Sequence, residues 1–414
     1  MIERNLLKEL RKHLLKKEIS LIVGPRQAGK TTLMMILKDE LEKKGFPTLF
    51  LNMDIERDLR FFISQESLIR KIELELGKKS GYIFIDEIQH KENAGLFLKG
   101  IYDMNLPYKL IVSGSDSLEL KEKIHESLVG RKRIFELNTL SFDEFVNFKT
   151  NNKYSSRLNE FFSLEKEKRS EFLSEYQNFG GYPRVVLEET AKEKRVIIDE
   201  IFRSYLEKDI SFLLRVERID AFRNLVTLLA GQIGQLINLS EISNTIGISL
   251  ATLKNYLWYG EKTFIFNRLL PYFSNIRKEI TRSPKIYFFD LGLRNYCLGV
   301  FGTVTDPMGY GPVFENLVYN MIHQRLQTTG ASLHFWRTKD KAEVDFIIKK
   351  GNRIIPVEVK YGKVNKISRA FRNFIGRYHP SDAYIVSPEY ECEMDVNDTK
   401  VHFIPFWKLL GVEI

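Results

Sequence analysis

A glycine-rich loop between an apolar segment and a helical segment constrains this chain more than any other feature. Residues 24–31 spell GPRQAGKT and match the pattern G-x-x-x-x-G-K-S/T in full. The apolar segment 19–23 enters the loop, and a helix predicted over 30–44 leaves it. In such a loop the backbone N–H groups turn inward around phosphate oxygens, and the helix N-terminus adds partial positive charge. A chance glycine turn before a lysine is the alternative, but the flanking strand and helix favour a phosphate-binding loop.

The residues of this loop have predicted roles toward ATP and Mg²⁺. Lys30 is expected to neutralise the β- and γ-phosphates, and the Thr31 hydroxyl is expected to complete the Mg²⁺ shell. The apolar segment 82–86 ends in Asp86, and Glu87 follows. In that position Asp86 would hold Mg²⁺ through water, and Glu87 would polarise the attacking water. The predicted nucleotide-binding residues are Gly24, Pro25, Arg26, Gln27, Ala28, Gly29, Lys30, Thr31 and Thr32.

Three arginines are candidates for a contact with the γ-phosphate. Arg26 lies in the loop, and Arg131 and Arg133 lie in the basic segment VGRKR. An arginine supplied in cis, or by a neighbouring subunit of a homo-oligomer, stabilises the charge that develops during phosphoryl transfer. A solvated basic loop is the alternative for Arg131 and Arg133. The serines at the end of the apolar segment 109–113 are a further candidate, although ordinary turn chemistry explains them equally well.

The order of apolar and helical segments predicts the fold class. Near-continuous apolar runs alternate with helical stretches, which is typical of an α/β doubly wound sheet with parallel strands buried on both faces. The predicted strands are 19–23, 48–52, 82–86, 109–113 and 133–137. The predicted units are a P-loop ATPase core over 1–145, a helical lid or connector over 146–215, a winged helix-turn-helix over 216–300 and a C-terminal α/β domain over 301–414.

A helix-turn-helix is predicted from Leu239 to Tyr259. Gly247 provides the turn, and Ser240 and Ser249 are plausible N-caps. Two apolar stretches, 264–273 and 285–290, would form a hairpin wing. The candidates for DNA contact on the second helix are Thr252, Lys254 and Asn255, whereas the expected packing residues are Leu250, Leu253, Tyr256, Leu257 and Trp258. A structural connector and a protein-binding element are alternatives for this unit.

The last hundred residues predict a compact α/β unit. A linker is expected over 303–310, and the acidic segment from Glu389 to Asp398 is expected to be a solvated loop. The remaining predictions are helices over 312–329 and 363–377 and strands near 332–337, 342–348, 353–359 and 383–387.

Two carboxylates and a lysine are predicted to meet on one face of this unit. Glu358 and Lys360 are two apart on a strand and therefore point to the same side, and Asp345 on the neighbouring strand can join them. Such a group suits Mg²⁺ or Mn²⁺ and an activated water, with the lysine orienting the nucleophile or offsetting phosphate charge. A surface hairpin with a cross-strand ion pair is the alternative.

The segment from Lys360 to Arg377 is a candidate surface for DNA. It carries six basic residues and no acidic one. Phe371, Phe374 and Tyr378 interleave with the basic residues, which suits a surface that follows a phosphate backbone. A solvated helix that packs its aromatic side chains inward is compatible with this interpretation.

Several motifs together resemble one family. GPRQAGKTTL, IDEIQH, KLIVSGSDSLEL, LVGRKRIFELNTLSFDEF, GGYPRVV and YLEKDI follow one another as in the prokaryotic AAA+-type ATPases that carry a C-terminal domain of unknown function with a nuclease-like fold. The resemblance covers nearly the whole chain. In YLEKDI, Lys208 stands where the family more often has arginine, which leaves a nucleotide-sensing role of this position in doubt.

The C-terminal residues resemble the PD-(D/E)XK nuclease signature. Asp345, Glu358 and Lys360 occupy the matching places, Glu315 matches the additional acidic residue of many members, and Trp336 lies in a similar pattern. The resemblance implies a restriction-endonuclease-like fold, whose members include inert binding domains. With the phosphate loop, the predicted metal ligands are Thr31, Asp86, Glu315, Asp345 and Glu358.

Composition narrows the class of protein. Lysine and arginine number 63 against 54 aspartate and glutamate residues, and the formal net charge of +9 permits contact with polyanions. The two cysteines, Cys297 and Cys392, do not form a disulfide scaffold or the usual zinc spacing, and they fit a cytoplasmic protein. No apolar run predicts a membrane span, and the charged first residues do not predict a signal peptide.

Three functions are compatible with these features. The first is an ATP-hydrolysing protein whose nucleotide cycle positions or gates a nucleic-acid-binding, nuclease-like domain. The second is an ATP-controlled regulatory or DNA-binding switch with an inert nuclease fold. The third, a metabolic kinase, is weaker because Asp86 and Glu87 favour water as the acceptor.

Overall fold

The computed structural model describes most of the chain, in several stretches. These are residues 2–115, 127–206, 210, 218–272, 283–304, 307–327, 329–362 and 366–412. The predictions for Lys208 and Lys363 lie outside the described residues.

The N-terminal domain is a parallel sheet covered by helices, as predicted. The strands run in the order β2-β3-β4-β1-β5, and all pairs are parallel. The strands are β1 (Ile19–Gly24), β2 (Thr48–Asn52), β3 (Gly81–Asp86), β4 (Tyr108–Ser115) and β5 (Lys132–Glu136). The helices are α1 (Leu6–His13), α2 (Lys30–Lys43), α3 (Glu56–Leu59), α4 (Gln65–Leu76) and α5 (Ala94–Asp103), with 3₁₀ turns at Arg60–Phe62 and Ile88–His90. Strand β1 is buried along its whole length, which explains its unbroken apolar sequence.

A helical segment follows the parallel sheet. It consists of α6 (Phe142–Lys149), α7 (Leu158–Leu164), α8 (Lys166–Phe179), α9 (Pro183–Leu187) and α10 (Ala191–Ser204). Gly180 and Gly181 separate α8 from α9. Gly180 has φ of 75°, and a Cβ there would lie 2.2 Å from Asp290 Oδ1. The Gly181 N–H donates to Asp290 Oδ2 at 2.7 Å, so this turn joins the helical segment to the next unit.

The next unit, called the winged segment below, contains the predicted helix-turn-helix and hairpin. Its elements are α11 (Ile219–Gly231), α12 (Leu239–Ile246), α13 (Leu250–Lys262), the antiparallel strands β6 (Phe266–Leu269) and β7 (Lys285–Phe288), and α14 (Leu291–Leu298). Gly247 adopts the left-handed conformation at the turn, and Ser249 caps α13.

Two details of the helix-turn-helix prediction are wrong. The N-cap of α12 is Asn238, not Ser240, because the Asn238 side chain accepts hydrogen bonds from the Ser240 and Glu241 N–H groups. Leu250 is 41% exposed and is not a packing residue, since it is the first residue of its helix and points away from the core.

The C-terminal domain is a mixed sheet with two helices. The strands run in the order β12-β13-β11-β10-β9-β8. The elements are α15 (Pro307–Leu326), β8 (Ser332–Arg337), β9 (Glu343–Lys350), β10 (Arg353–Val359), α16 (Arg369–Tyr378), β11 (Asp382–Ser387), β12 (Cys392–Val396), β13 (Thr399–Pro405) and a 3₁₀ helix at Phe406–Gly411.

Three predictions for this domain need correction. Helix α15 begins at Pro307, inside the predicted linker, because proline is tolerated in the first turn of a helix. The acidic segment is not only loop, since β12 pairs antiparallel with β13 at the edge of the sheet. Acidic side chains on an exposed edge strand discourage pairing with other chains, so the charge fits this position as well as it fits a loop. The basic helix begins later than predicted, at Arg369.

One hydrophobic core joins the helical segment, the winged segment and the C-terminal domain. The Phe142 ring lies 5.3 Å from the Phe406 ring, and the Arg169 guanidinium lies 4.3 Å from the centre of the Trp407 ring. Among the described residues, no helix combines the length and the apolar character that crossing a membrane requires.

Candidate nucleotide site and carboxylate cluster

The phosphate loop joins β1 to α2 in a conformation that needs glycine. Gly24 has φ of 151°, and a Cβ there would lie 2.1 Å from the Leu137 carbonyl oxygen. Gly29 has φ of 95° and directly precedes α2. Both conformations are rare for residues with a side chain. The loop glycines therefore serve the close approach of the backbone to β5 and the turn into the helix.

Lys30 is held across the loop. Its side chain is buried, and Nζ donates to the carbonyl oxygens of Gly24 at 2.8 Å and Pro25 at 2.9 Å. These carbonyls belong to the same loop that would surround the phosphates. The ammonium group is therefore already next to the predicted phosphate position.

Asp86 and Thr31 meet at the carboxyl ends of the strands. Thr31 Oγ1 donates to Asp86 Oδ2 at 2.7 Å, and Ser113 Oγ donates to Asp86 Oδ1. Strands β3, β4 and β1 are neighbours and parallel, so their carboxyl ends share one edge of the sheet. Glu87 follows with φ of 57°, and its N–H donates to Ser113 Oγ at 3.3 Å. Ser113 thus supports the two acidic residues.

An open pocket of about 660 Å³ lies over this loop. Its wall contains Glu87 and the loop residues from Arg26 to Thr32. The other lining residues are Ile2, Arg4, Leu33, Ile36, Pro183, Arg184, Leu187 and Ser204. The pocket therefore combines charged groups near the loop with apolar side chains, and the helical segment forms one wall.

The buried Arg4 fixes the outer side of the loop. Its guanidinium donates to the Ala28 carbonyl at 2.8 Å, to the Asn138 carbonyl at 2.6 Å and to Glu144 Oε2 at 3.1 Å. Glu144 also accepts from the Asn5 N–H at 2.6 Å. The first residues, the phosphate loop and α6 are thus tied together by one buried ion pair.

The arginines predicted for the γ-phosphate separate into two groups. Arg26 lines the pocket. Arg131 and Arg133 lie at the start of β5, because Lys132 pairs with Ile19 at the opposite end of β1 from the loop. Five residues of strand span about 16 Å, so neither side chain can reach a phosphate of the same subunit. Arg131 instead pairs with Asp103 at 2.7 Å. A contact from a neighbouring subunit stays a prediction.

In the C-terminal domain, Asp345 lies on β9 and Glu358 on the adjacent strand β10, as predicted, whereas Lys360 directly follows the end of β10. Phe346 pairs with Val357 across the two strands. The carboxylates of Asp345 and Glu358 therefore lie at the next position along the same ladder. Asp345 Oδ2 accepts from the Val359 N–H at 2.7 Å. Glu358 accepts from Lys360 Nζ at 2.6 Å and from Ser368 Oγ at 3.0 Å.

Glu315 joins this group from α15, and a lysine of the winged segment joins it too. The side chain of Lys285, at the start of β7, is 1% exposed, and its Nζ lies 2.6 Å from Glu343 Oε1 and 3.8 Å from Glu315 Oε1. The Tyr287 hydroxyl donates to Glu315 at 2.6 Å. Arg337 pairs with Glu343 on its other side. The structure therefore places the Lys285 ammonium beside Glu315 and Glu343, while Asp345 and Glu358 lie on the adjacent strands β9 and β10.

The charges in this cluster shift the pKa values of its members. Burial, together with the neighbouring Glu315 carboxylate, raises the pKa of Asp345 to about 7. Burial lowers the pKa of Lys285, but the carboxylates of Glu315, Asp345 and Glu343 outweigh that effect, so its pKa is raised. Lys285 is therefore a charged ammonium at neutral pH.

The donor set does not fit a divalent metal ion in this arrangement. Across the part of the chain that the structure describes, no group of three or more histidine, cysteine, aspartate or glutamate side chains is placed to hold a metal ion. Glu315 and Glu358 instead accept from Tyr287 and Lys360. The metal predicted at Glu315, Asp345 and Glu358 therefore has no preformed set of ligands in this arrangement.

The two predicted DNA-contact surfaces differ in how they present their side chains. On α16, Phe371 and Phe374 are buried, while Arg369, Arg372 and Arg377 are exposed. Lys366, just before the helix, is exposed as well. On α13, Lys254 and Asn255 are exposed, whereas Thr252 is half-buried and hydrogen-bonds Ser249. The basic helix therefore offers the denser positive surface.

Comparison with known families divides the chain into three matched parts. Residues 16–146 match a family described as AAA domain. The N-terminal domain thus resembles AAA-type P-loop ATPases. Residues 170–303 and 310–409 match two domains of unknown function, DUF8612 and DUF4143. The nuclease-like nature of the C-terminal domain is not part of these descriptions.

Relatives of similar length occur in bacteria and archaea. An uncharacterized protein of Haemophilus influenzae is 26% identical, and the match covers 94% of this chain and 94% of that protein. An uncharacterized protein of Methanocaldococcus jannaschii is 28% identical over 95% of this chain and 88% of its own length. Both matches extend over nearly the whole of this chain, and both relatives are described as uncharacterized.

Solved structures of the replication initiator DnaA are more distant. AMPPCP-bound DnaA from Aquifex aeolicus is 14% identical, covers 62% of this chain and 86% of its own, and has a TM-score of 0.28. DnaA bound to AMPPCP and single-stranded DNA is also 14% identical, with a TM-score of 0.28 over 63% of this chain and 90% of its own. Likenesses at this level carry no argument about function.

Sequence reasoning missed the site residues that come from distant segments. Arg184 reaches the nucleotide pocket, where its Nη1 donates to Gln27 Oε1 at 2.9 Å. Arg184 lies in the GGYPRVV motif, but the neighbouring sequence does not indicate that this motif lies next to the phosphate loop. In the sequence, Lys285 only begins the apolar stretch 285–290, which gives no sign of a role in the acidic cluster. No periodicity signals a lysine that crosses to another domain.

Proposed function

We propose that the N-terminal domain binds Mg²⁺ and ATP in the pocket over the phosphate loop and hydrolyses the nucleotide. The observation that carries the proposal is the hydrogen bond from Thr31 to Asp86, next to Lys30 and Glu87. A hydroxyl and a carboxylate side by side are suitable oxygen ligands for Mg²⁺. When bound, Mg²⁺ offsets negative charge on the β- and γ-phosphate oxygens.

The remaining roles follow from position. The loop N–H groups bind the phosphates, and Lys30 offsets the charge on the β- and γ-phosphates. Glu87 lines the pocket and orients the attacking water. The apolar side chains Ile2, Ile36 and Leu187 give the base a place away from water.

We further propose that nucleotide occupancy positions or gates the C-terminal domain. Arg184 and Leu187 of the helical segment line the same pocket as the loop, so bound ATP contacts both units. The helical segment in turn packs on the C-terminal domain, where Arg169 stacks on Trp407 and pairs with Glu389. A shift of the helical segment toward the nucleotide would therefore be carried to the C-terminal domain.

Nucleic acid is the partner that the surface of the C-terminal domain supports. The exposed arginines on α16 form a basic face backed by buried Phe371 and Phe374, so the charges are held by a packed helix. Such a face binds the phosphate backbone by releasing counterions. DNA is the proposed ligand of this face.

The ATPase proposal is tested with fluorescent-nucleotide binding and phosphate release. Lys30→Ala should lose Mg²⁺-dependent ATP binding, because the charge that offsets the phosphates is gone. Glu87→Gln should bind ATP but release phosphate at least about a hundredfold more slowly. Lys38→Ala, on the same helix and paired with Glu42, is the matched control and should behave like wild type. Normal turnover in Lys30→Ala would refute the assignment.

A second candidate function is a switch whose nuclease-like fold is inert. It is favoured by the carboxylate cluster, in which Glu315, Glu343 and Glu358 already pair with protein donors. A cleavage assay with Mn²⁺ over single-stranded, duplex and branched DNA, with and without ATP, separates the two candidates. Cleavage that disappears in Glu358→Ala supports the nuclease, and binding without cleavage supports the switch.

A further inference from the structure

The ammonium group of Lys285 lies inside the carboxylate cluster, although the residue belongs to another unit. Its strand, β7, pairs with β6 through Leu269 and bridges to Leu236. The side chain then crosses to Glu343 on β9 and Glu315 on α15. Its Nζ lies over the Phe335 ring, 5.4 Å from the ring centre. Three chain segments thus hold one lysine at the centre of the acidic group.

We propose that the carboxylate cluster is a socket for the Lys285 ammonium, and that this seated lysine excludes a divalent metal ion from Glu315, Asp345 and Glu358. The inference concerns the C-terminal domain and holds whether or not the N-terminal domain hydrolyses ATP. It deepens the proposed function, because it makes the position of the winged segment the condition for metal binding.

The charge of the cluster is the first reason why the seated lysine would exclude a divalent metal ion. A buried ammonium needs negative partners, and Glu343 and Glu315 supply them at 2.6 and 3.8 Å. Arg337 and Lys360 add positive charge on either side, at Glu343 and Glu358. A divalent ion would therefore enter a cluster whose negative charge is already largely balanced. At these distances in a poorly solvated site, repulsion from the ammonium group opposes its binding.

The limited space around the Glu315 carboxylate is the second reason why a metal ion would be excluded. Glu315 is confined by Gly234, where an added Cβ would lie 2.9 Å from Glu315 Oε1. The Tyr287 hydroxyl, from the same strand as Lys285, holds the same oxygen at 2.6 Å. One oxygen of Glu315, Oε1, is therefore engaged by β7 and is not available to another ligand while β7 stays in place. Withdrawal of β7 would remove the ammonium and the hydroxyl together.

The test is a titration of the full chain with Mn²⁺ in the absence of nucleotide. Electron paramagnetic resonance of the free Mn²⁺ measures how much is bound. Wild type should show no Mn²⁺ bound at Asp345, so wild type and Asp345→Asn should give the same curve. Lys285→Met keeps an unbranched apolar side chain one atom shorter than lysine and removes the charge. It should gain one Mn²⁺ site per chain that wild type lacks, because the repulsion from the ammonium group is gone. That site should be lost in Lys285→Met combined with Asp345→Asn.

Two controls separate the ammonium from buried lysines in general. Lys285→Arg keeps the charge and should gain no site. Lys194→Met removes another buried lysine, which pairs with Glu175, and should also gain none. Mn²⁺ bound by wild type and lost in Asp345→Asn would overturn the proposal, even if Lys285→Met does not fold. A folded Lys285→Met protein that gains no site would overturn it as well.

Discussion

At the scale of single residues, Arg184 brings positive charge from the helical segment to the phosphate loop. Its guanidinium contacts Gln27 and pairs with Glu200 at 3.1 Å. In this position it can stabilise charge on the γ-phosphate. We expect Arg184→Ala to lower ATP turnover by about ten- to a hundredfold. Phosphate release measures this, and Arg195→Ala, an exposed arginine outside the pocket, should leave turnover unchanged. Equal turnover in both variants would remove Arg184 from the site.

His13 gives the fold a dependence on pH. Burial and the positive charge of Lys109 lower the pKa of His13 to about 4. The folded pKa is below the unfolded value, so this contribution to stability is complete above about pH 6.5 and is lost as pH falls toward 4. We expect a loss of about 1 to 2 kcal/mol between pH 7 and pH 5.

Urea unfolding at both pH values measures the loss. His13→Gln cannot take up a proton and can still hydrogen-bond Ser20, the partner of the native ring at 2.8 Å. The difference between pH 7 and pH 5 should therefore be smaller in this variant than in wild type. The same difference in both proteins would assign the acid sensitivity to other groups.

The loop residues could be predicted from sequence because their roles depend on neighbours in the chain. Gly24, Lys30 and Thr31 act within one loop, and Asp86 follows from the order of parallel strands. Arg4 and Lys285 could not be predicted, because each acts through a contact more than twenty residues away. Only the packing of distinct units brings such residues to their partners.

At the scale of elements, the turn between α8 and α9 depends on glycine. Gly180→Ala would place a methyl group 2.2 Å from Asp290 Oδ1 in a left-handed backbone conformation. We expect a loss of about 2 to 4 kcal/mol in the free energy of unfolding. Gly376→Ala on α16 meets open space and should be neutral or slightly stabilising. Urea denaturation compares them, and equal stability would contradict the packing account of this turn.

The basic face of α16 makes a prediction about salt. Removing Arg369 and Arg372 together should weaken binding to duplex DNA about tenfold or more and reduce the slope of log affinity against log salt by about 2. Fluorescence anisotropy over a salt series measures both quantities. Lys78→Ala with Lys79→Ala removes the same charge from an exposed turn of the N-terminal domain and should change neither. An unchanged slope of log affinity against log salt in the α16 variant would show that DNA binds another surface of the protein.

Elements with strong periodicity or apolar runs were predicted well, including the five strands of the parallel sheet. Strand β12 could not be predicted, because its acidic residues do not resemble a buried strand. It forms at the sheet edge, where Met394 faces Val401 across the ladder and the acidic residues remain in solvent. Helix α16 begins at Arg369, after its N-cap Ser368, and therefore later than the run of basic residues in the sequence indicates.

At the scale of the whole molecule, contacts made by the helical segment link the pocket over the phosphate loop to the C-terminal domain. Arg184 connects the pocket to the helical segment, and Arg169 connects that segment to Trp407. The Gly181 N–H bond to Asp290 ties the helical segment to the winged segment, which carries Lys285. The basic face and the carboxylate cluster therefore lie on units whose described residues pack against the helical segment that lines the pocket.

The most direct test of this connection is the affinity for duplex DNA with and without Mg²⁺ and ATP, measured in Glu87→Gln so that nucleotide is not consumed. We expect ATP to change the affinity by at least about fivefold, the smallest coupling usually called allosteric. Lys30→Ala should show no change with ATP. The same DNA affinity with and without bound ATP in Glu87→Gln would contradict the account.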